Sequence, residues 1–132
     1  MALQYSVAVN NARLDAVETA TGASAKLRIY TGSAPANCAA AATGTLLVDM
    51  ALPTDWMNAA SAASKTKLGT WSGTGAAAGT AGYFRIVDNA GTTAHVQGTC
   101  GQGTGDLSLD NTNIAVGQTV SVNSFTLNAA NT

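Results

Sequence analysis

The sequence predicts a mainly β protein: an antiparallel, jelly-roll-like β-sandwich of seven or eight short strands with an N-terminal α-helix. Three observations carry this expectation. Apolar and polar residues alternate over short segments, the period-2 pattern of a strand with one face in a core. Turn residues interrupt those segments roughly every ten positions. One stretch alone, near the N-terminus, has helical spacing. Strand-like runs are not interleaved with helices, which argues against βαβ units. Residues 1–22 are read as a helical arm and residues 23–132 as a single β-sandwich domain.

The helix is expected over residues 5–21, YSVAVNNARLDAVETAT, with Ser6 as N-cap and Gly22 as the residue that stops it. Val7, Leu14 and Val17 fall near one stripe, and Arg13, Asp15 and Glu18 lie mostly elsewhere. Two readings of this helix are open. It packs on the sheet edge or caps the core, or it is a docking arm whose stripe meets a neighbouring subunit. The Val-rich start, SVAV, is also compatible with a strand.

Strands follow in order. In KLRIYT (26–31), Leu27 and Ile29 point inward while Lys26, Arg28 and Tyr30 point outward. Residues 32–44, GSAPANCAAAATG, read as a loop punctuated by Gly32 and Pro35. In TLLVDMAL (45–52), Leu46, Val48 and Met50 share the inner face, and Pro53 ends the strand because it lacks a ladder N–H. Residues 54–64 are a helical turn capped by Thr54 or a loop anchored by Trp56. KTKLGTWS (65–72) reads as a strand around Leu68 and Thr70 with Trp71 on the opposite face. The Gly/Ala/Thr-rich residues 72–82 read as a flexible loop at the tip of the fold.

The clearest signal is a hairpin in GYFRIVDNAGTTAHV (82–96). Its first strand, Tyr83 to Val87, places Phe84 and Ile86 on one face and Tyr83, Arg85 and Val87 on the other. Asp88-Asn89-Ala90-Gly91 is the turn, where Gly91 takes positive φ without a Cβ clash. The return strand is expected from Thr92 to Val96. Residues 98–105, GTCGQGTG, read as another flexible loop or a bulged crossover. Leu107 and Leu109 point inward from DLSLD. In the last strand Val120 and Val122 alternate, and Phe125 resumes the alternation after a one-position shift at Asn123-Ser124, which predicts a bulge. The tail NAANT is expected to fray. The expected core is therefore Leu27, Ile29, Leu46, Val48, Phe84, Ile86, Leu107, Leu109, Val120, Val122 and Phe125. The expected interface is Val7, Leu14, Val17, Trp56 and Trp71.

Composition limits the partners. The chain has 132 residues, 46% hydrophobic but much of that alanine, and seven aromatics, so its core is small. Charged residues make up 10%, well below the usual quarter. Such a surface repels its copies weakly and suits a dense assembly. Net charge is −1 and the cations are scattered, so no nucleic-acid partner is expected. No apolar run approaches the roughly 20 residues of a membrane span. No signal-peptide pattern opens the sequence. Cys38 and Cys100 are expected to be free thiols, with a disulfide as the alternative if their Cα atoms come within about 6 Å.

No catalytic motif stands out, and neither an enzyme activity nor a cofactor nor a metal is expected. His95 with Asp88 and a serine is a triad in name alone, because a triad needs convergence in space; a surface histidine is the simpler reading. Asp106, Asp110, Asn111 and Asn113 carry oxygens suited to Ca²⁺ but lack EF-hand spacing, so turn capping accounts for them. The glycine-rich runs lack the GK[ST] of a phosphate loop. Trp56, Trp71, Tyr30 and Tyr83 are the candidates for a sugar-stacking face; core or interface positions are the alternative.

The phrases ALQYSVAVNNARLDAVETATG, LRIYTGSAPANCAAAATGTLL, LPTDWM, GTAGYFRIVDNAGTTAHVQGT and NTNIAVGQTVSVNSFTL span nearly the whole chain. They resemble small proteins encoded among the virion genes of tailed bacteriophages. The resemblance rests on structural phrases and carries over no active site. It implies a virion structural protein made in the host cytoplasm, with other virion proteins (the major capsid protein or tail subunits) and copies of itself as partners. Capsid decoration, cementing neighbouring capsomers, is the favoured role. A tail or neck subunit is the alternative, with the 72–82 loop bridging successive rings, and a carbohydrate-binding module comes third.

Overall fold

The computed structural model describes residues 3–129. The fold is mainly β with one N-terminal helix and a curled, mixed sheet. Helix α1 covers Val7–Thr21. Ser6 caps it, its Oγ accepting from Val9 N at 3.2 Å. Gly22 ends it at φ 92°, donating its N–H to Glu18 O at 2.9 Å. Both ends lie where the cap residues place them, and SVAV is helical from Val7 onward.

The strands are β1 (Lys26–Tyr30), β2 (Leu46–Ala51), β3 (Ser64–Thr66), β4 (Ser72–Thr74), β5 (Gly79–Thr80), β6 (Tyr83–Val87), β7 (Ala94–Gly101), β8 (Leu107–Leu109), β9 (Asn113–Ile114) and β10 (Thr119–Asn128). The main sheet runs β2-β1-β6-β7-β8-β10-β3, with β4 also paired to β10, and β5 pairs with β9 separately. The expected all-antiparallel order fails at one place: β7 and β8 run parallel, through Cys100↔Leu107 and Gly101↔Ser108. The sheet curls until its β2 edge meets the segment after β4. Val48 bridges to Gly75, and Ala76 N donates to Leu47 O at 2.7 Å. A Cβ at Gly73 would meet Val48 and Met50 at 3.1–3.2 Å, so glycine lets β4 lie against β2.

Inside the curl, Met50–Leu27–Ile86 and Val48–Ile29–Phe84 form cross-strand rows, and all six side chains are buried. Leu107, Leu109, Val120, Val122 and Phe125 complete the expected core. Leu46 does not belong to it. Between Ile29↔Val48 and Tyr30↔Leu46 the register skips Leu47, so a bulge turns Leu46 to the outer face beside Tyr30. Leu46 is half-buried, and the extra residue Leu47 is fully buried in its place. The bulge expected at Asn123 is present, between Val122↔Leu109 and Ser124↔Ser108.

The hairpin turn forms as expected: Gly91 N donates to Asp88 O at 2.9 Å, and Gly91 sits at φ 74°. The return strand starts later than expected, at Ala94. Thr92 N and Thr93 N instead donate to Asp88 Oδ1, at 2.8 and 3.2 Å, which withdraws them from the ladder.

The first glycine-rich run is built into the fold rather than looped out at a tip, whereas residues 102–105 of the second form an exposed crossover from β7 to β8. Residues 72–82 contain β4 and β5, and a Cβ at Gly82 would collide with the Gly32 backbone. Residues 98–105 begin inside β7. The strand expected over residues 65–72 is shorter and earlier, β3, and its central residue Lys65 is buried. Residues 54–63 form the loop anchored by Trp56, whose Nε1 donates to Gly22 O at 3.0 Å. In the tail, Asn128 ends β10 and Ala129 N donates to Ala63 O at 3.0 Å; its last three residues lie outside those described.

Candidate functional site

The sequence placed the interface on Val7, Leu14, Val17, Trp56 and Trp71, and the structure redistributes them. Trp56 and Trp71 are both 0% exposed. They begin an aromatic line through the core: Trp56 lies 6.0 Å from Trp71, Trp71 5.6 Å from Phe125, and Phe125 5.6 Å from Phe84 in a T-shaped contact. Leu14 is buried and Val17 half-buried. Val7 alone of the five is exposed, together with Leu3, Tyr5 and Val9. These four exposed apolar residues lie at the N-terminal end of the helix, with the Arg13 guanidinium 4.8 Å from the Tyr5 ring centroid.

The helix docks farther along, through Leu14 and a set of polar side chains. Asp15 Oδ1 accepts from Lys65 Nζ at 2.7 Å and from Ala60 N at 2.9 Å. Glu18 Oε1 lies 3.0 Å from the same Nζ, and Glu18 Oε2 accepts from Met57 N at 3.1 Å. Asn11 Oδ1 accepts from Ala63 N at 2.9 Å. The helix thus satisfies orphan N–H groups of the 57–63 loop. Asp15 and Glu18, expected to lie mostly away from the apolar stripe, join the buried Leu14 of that stripe in making the contact.

The outer face of β1 and β6 holds a second arrangement that the alternation did not anticipate. Tyr30, Tyr83, Arg85 and Val87 were expected to point to solvent, yet all are buried. Residues 35–43 lie over them. Tyr83 Oη donates to Thr43 O at 2.6 Å, Arg85 Nη2 to Ala40 O at 2.7 Å, and Gln97 Nε2 to Pro35 O at 2.8 Å. Tyr30 stacks on Tyr83 at 5.0 Å and 10°. Register aligns Asp49, Arg28, Arg85 and Gln97 across four neighbouring strands. A cavity of about 250 Å³ lies between this row and residues 38–42, and both arginines line it.

The remaining candidates separate. His95 is exposed, the extra residue of a bulge between Ile86↔Val96 and Val87↔Ala94. The Asp88 carboxylate is occupied by the turn, where the Thr92 and Thr93 N–H groups hold it below the ordinary carboxylate range. Asp106 Oδ2 accepts from Thr99 N and Oγ1, Asp110 Oδ1 from Ser121 N, and Asn111 Oδ1 from Asn113 N, so these oxygens cap turns and strand ends. Among the described residues no cluster of three or more His, Cys, Asp or Glu side chains is placed to hold a metal ion. The sugar-stacking reading fails because Trp56, Trp71, Tyr30 and Tyr83 present no exposed ring face. Cys38 and Cys100 are free, and burial, with a contribution from Asp106, pushes the Cys100 thiol up to about 12. Among the described residues no helix is long and apolar enough to cross a membrane. No family model, curated protein or solved structure matches the chain.

Proposed function

We propose that this protein is a structural component of a tailed-bacteriophage virion, a capsid decoration or cement protein that acts through subunit contacts. The observation that carries the reading is the exposure of apolar residues at the N-terminal end of the helix. Leu3, ahead of the helix, is 72% exposed, and Val7 and Val9 in its first turn are 47% and 44% exposed, on a helix held farther along by the ion pairs of Asp15 and Glu18 with Lys65. A rigidly held helix that offers valines outward is suited to burying them against a neighbour. The low charge of the chain favours dense packing of many copies, and the resemblance of its phrases to virion-encoded proteins points the same way. The partners in this reading are the major capsid protein and further copies of this chain.

The tail or neck placement is the second outcome of the same experiment. Its tube version relied on residues 72–82 as a free inter-ring loop, and β4 and β5 now occupy that segment. The test is to add purified, labelled protein to particles lacking it and to image them. Regular density on the capsid lattice, lost with Val7→Asp and Val9→Asp together, supports decoration. Density along the tail overturns decoration in favour of the second reading. A monomer that joins neither capsids nor tails overturns both.

A further inference from the structure

We infer that the cavity over β1 and β6 is a carboxylate-binding site, independent of the virion reading. Arg85 is 5% exposed. Its Nε donates to Gln97 Oε1 at 3.2 Å, and its Nη2 to Ala40 O at 2.7 Å and Asn37 O at 3.3 Å. These acceptors are all neutral, and the bonds do not use Nη1. Among the described residues no carboxylate lies within ion-pair distance of Arg85.

Its cross-strand neighbour Arg28 has one carboxylate, Asp49, at 3.5 Å from Nε, and that carboxylate is partly exposed. The Arg28 Nε is buried and makes no hydrogen bond. Its Nη1 donates only to Gly91 O, at 3.2 Å. Two guanidinium groups therefore face one cavity with a single, partly solvated counter-charge. A buried cation without a paired anion is costly, so an anion entering here gains unusually strong attraction.

Shape selects among anions. A guanidinium presents a planar fork that matches a carboxylate. The wall is polar overall, with small apolar side chains of Ala39, Ala41, Ala42, Val87 and Ala94 among its lining. About 250 Å³ accepts a carboxylate on a short aliphatic stem. That chemistry is shared by a free short-chain acid and by a Glu side chain of a neighbouring protein.

The test is an NMR titration of ¹⁵N-labelled protein, following the Nε–H signals of Arg28 and Arg85 and the amides of Gly91 and Thr92. Propionate and a short peptide with one Glu are added separately, with chloride at matched ionic strength as control. Saturable shifts confined to these signals, absent with chloride, support the site. Arg28→Gln, which gives up one hydrogen bond to Gly91 O and a partly exposed ion pair with Asp49, is expected to weaken the affinity at least tenfold while lowering the melting temperature without ligand only slightly. Peptide binding at least tenfold tighter than propionate assigns the carboxylate to a protein neighbour; equal affinity assigns it to a free acid. Shifts that chloride reproduces, that do not saturate, or that persist unchanged in Arg28→Gln overturn the inference.

Discussion

Lys65 Nζ lies 2.7 Å from Asp15 Oδ1, and this contact joins the N-terminal helix to the sheet. The lysine side chain is 1% exposed, and its three ammonium protons meet Asp15, Glu18 and Asn58 O. Lys65→Met removes the anchor while keeping the volume. The cost is expected to be about 2 kcal/mol, below that of a fully buried pair because Asp15 and Glu18 retain contact with water. Hydrogen exchange checks where the loss falls: α1 amides should lose protection well before those of β1 and β6. Equal loss throughout would show that the helix is not held locally.

The same contact gives the protein a pH dependence. The Asp15 carboxyl lies below its ordinary value of 3.8, held there first by the Lys65 hydrogen bond and then by Ala60 N–H. Asp88 is lowered in the same sense by Thr92 N–H and Thr93 N–H. The unfolded chain takes up these protons at higher pH than the folded one, so their stabilisation is complete above 3.8 and is lost as pH falls through the folded values. Burial of Lys65 opposes its charge, but its bonds to Asp15 and Glu18 outweigh that and raise it above 10.5. Its contribution is complete below 10.5 and is lost as pH rises through the folded value. Urea midpoints should therefore fall at both extremes, and Asp15→Asn should flatten part of each fall. Unchanged slopes in that variant would remove Asp15 from the account.

Phe84 is 1% exposed and meets Phe125 edge-on. Phe84→Ala is expected to cost about 3–5 kcal/mol in denaturant unfolding. A loss under about 0.5 kcal/mol, the range of surface positions, would mean that this ring does not hold the core.

Gly82 is a packing glycine. An added Cβ would strike the Gly32 backbone, which cannot swing aside as a side-chain end can. Gly82→Ala is expected to cost about 1–3 kcal/mol through displaced backbone. A melting temperature equal to that of the parent would show that the two segments separate freely.

The thiols should differ. With its thiol raised to about 12, Cys100 carries little thiolate near neutral pH. A thiol reagent should leave Cys100 unmodified in the native protein and modify it rapidly in denaturant, with peptide mapping to identify the site. Fast native labelling of the half-buried Cys100 would contradict its raised thiol.

Local chemistry alone was enough to read several elements. Ser6 and Gly22 mark the helix ends because a cap needs only its own turn. Asp88 to Gly91 specify the hairpin turn, and the skipped beat at Asn123 marks a bulge, for the same reason. Leu27, Ile29, Phe84 and Ile86 could be assigned inward because alternation reports one buried face. The second buried face lay beyond that reasoning. Tyr83, Arg85 and Val87 are covered by an alanine-rich loop with no periodicity of its own, through bonds such as Arg85 to Ala40, 45 positions apart. Leu47 replaced Leu46 because the partner strand sets where a bulge falls. Lys65 reads as a surface residue until Asp15, 50 positions earlier, is brought to it. Neighbours in sequence determine caps, turns and alternation; burial of a charge or of a second sheet face depends on which distant segment arrives there, and no local pattern encodes that.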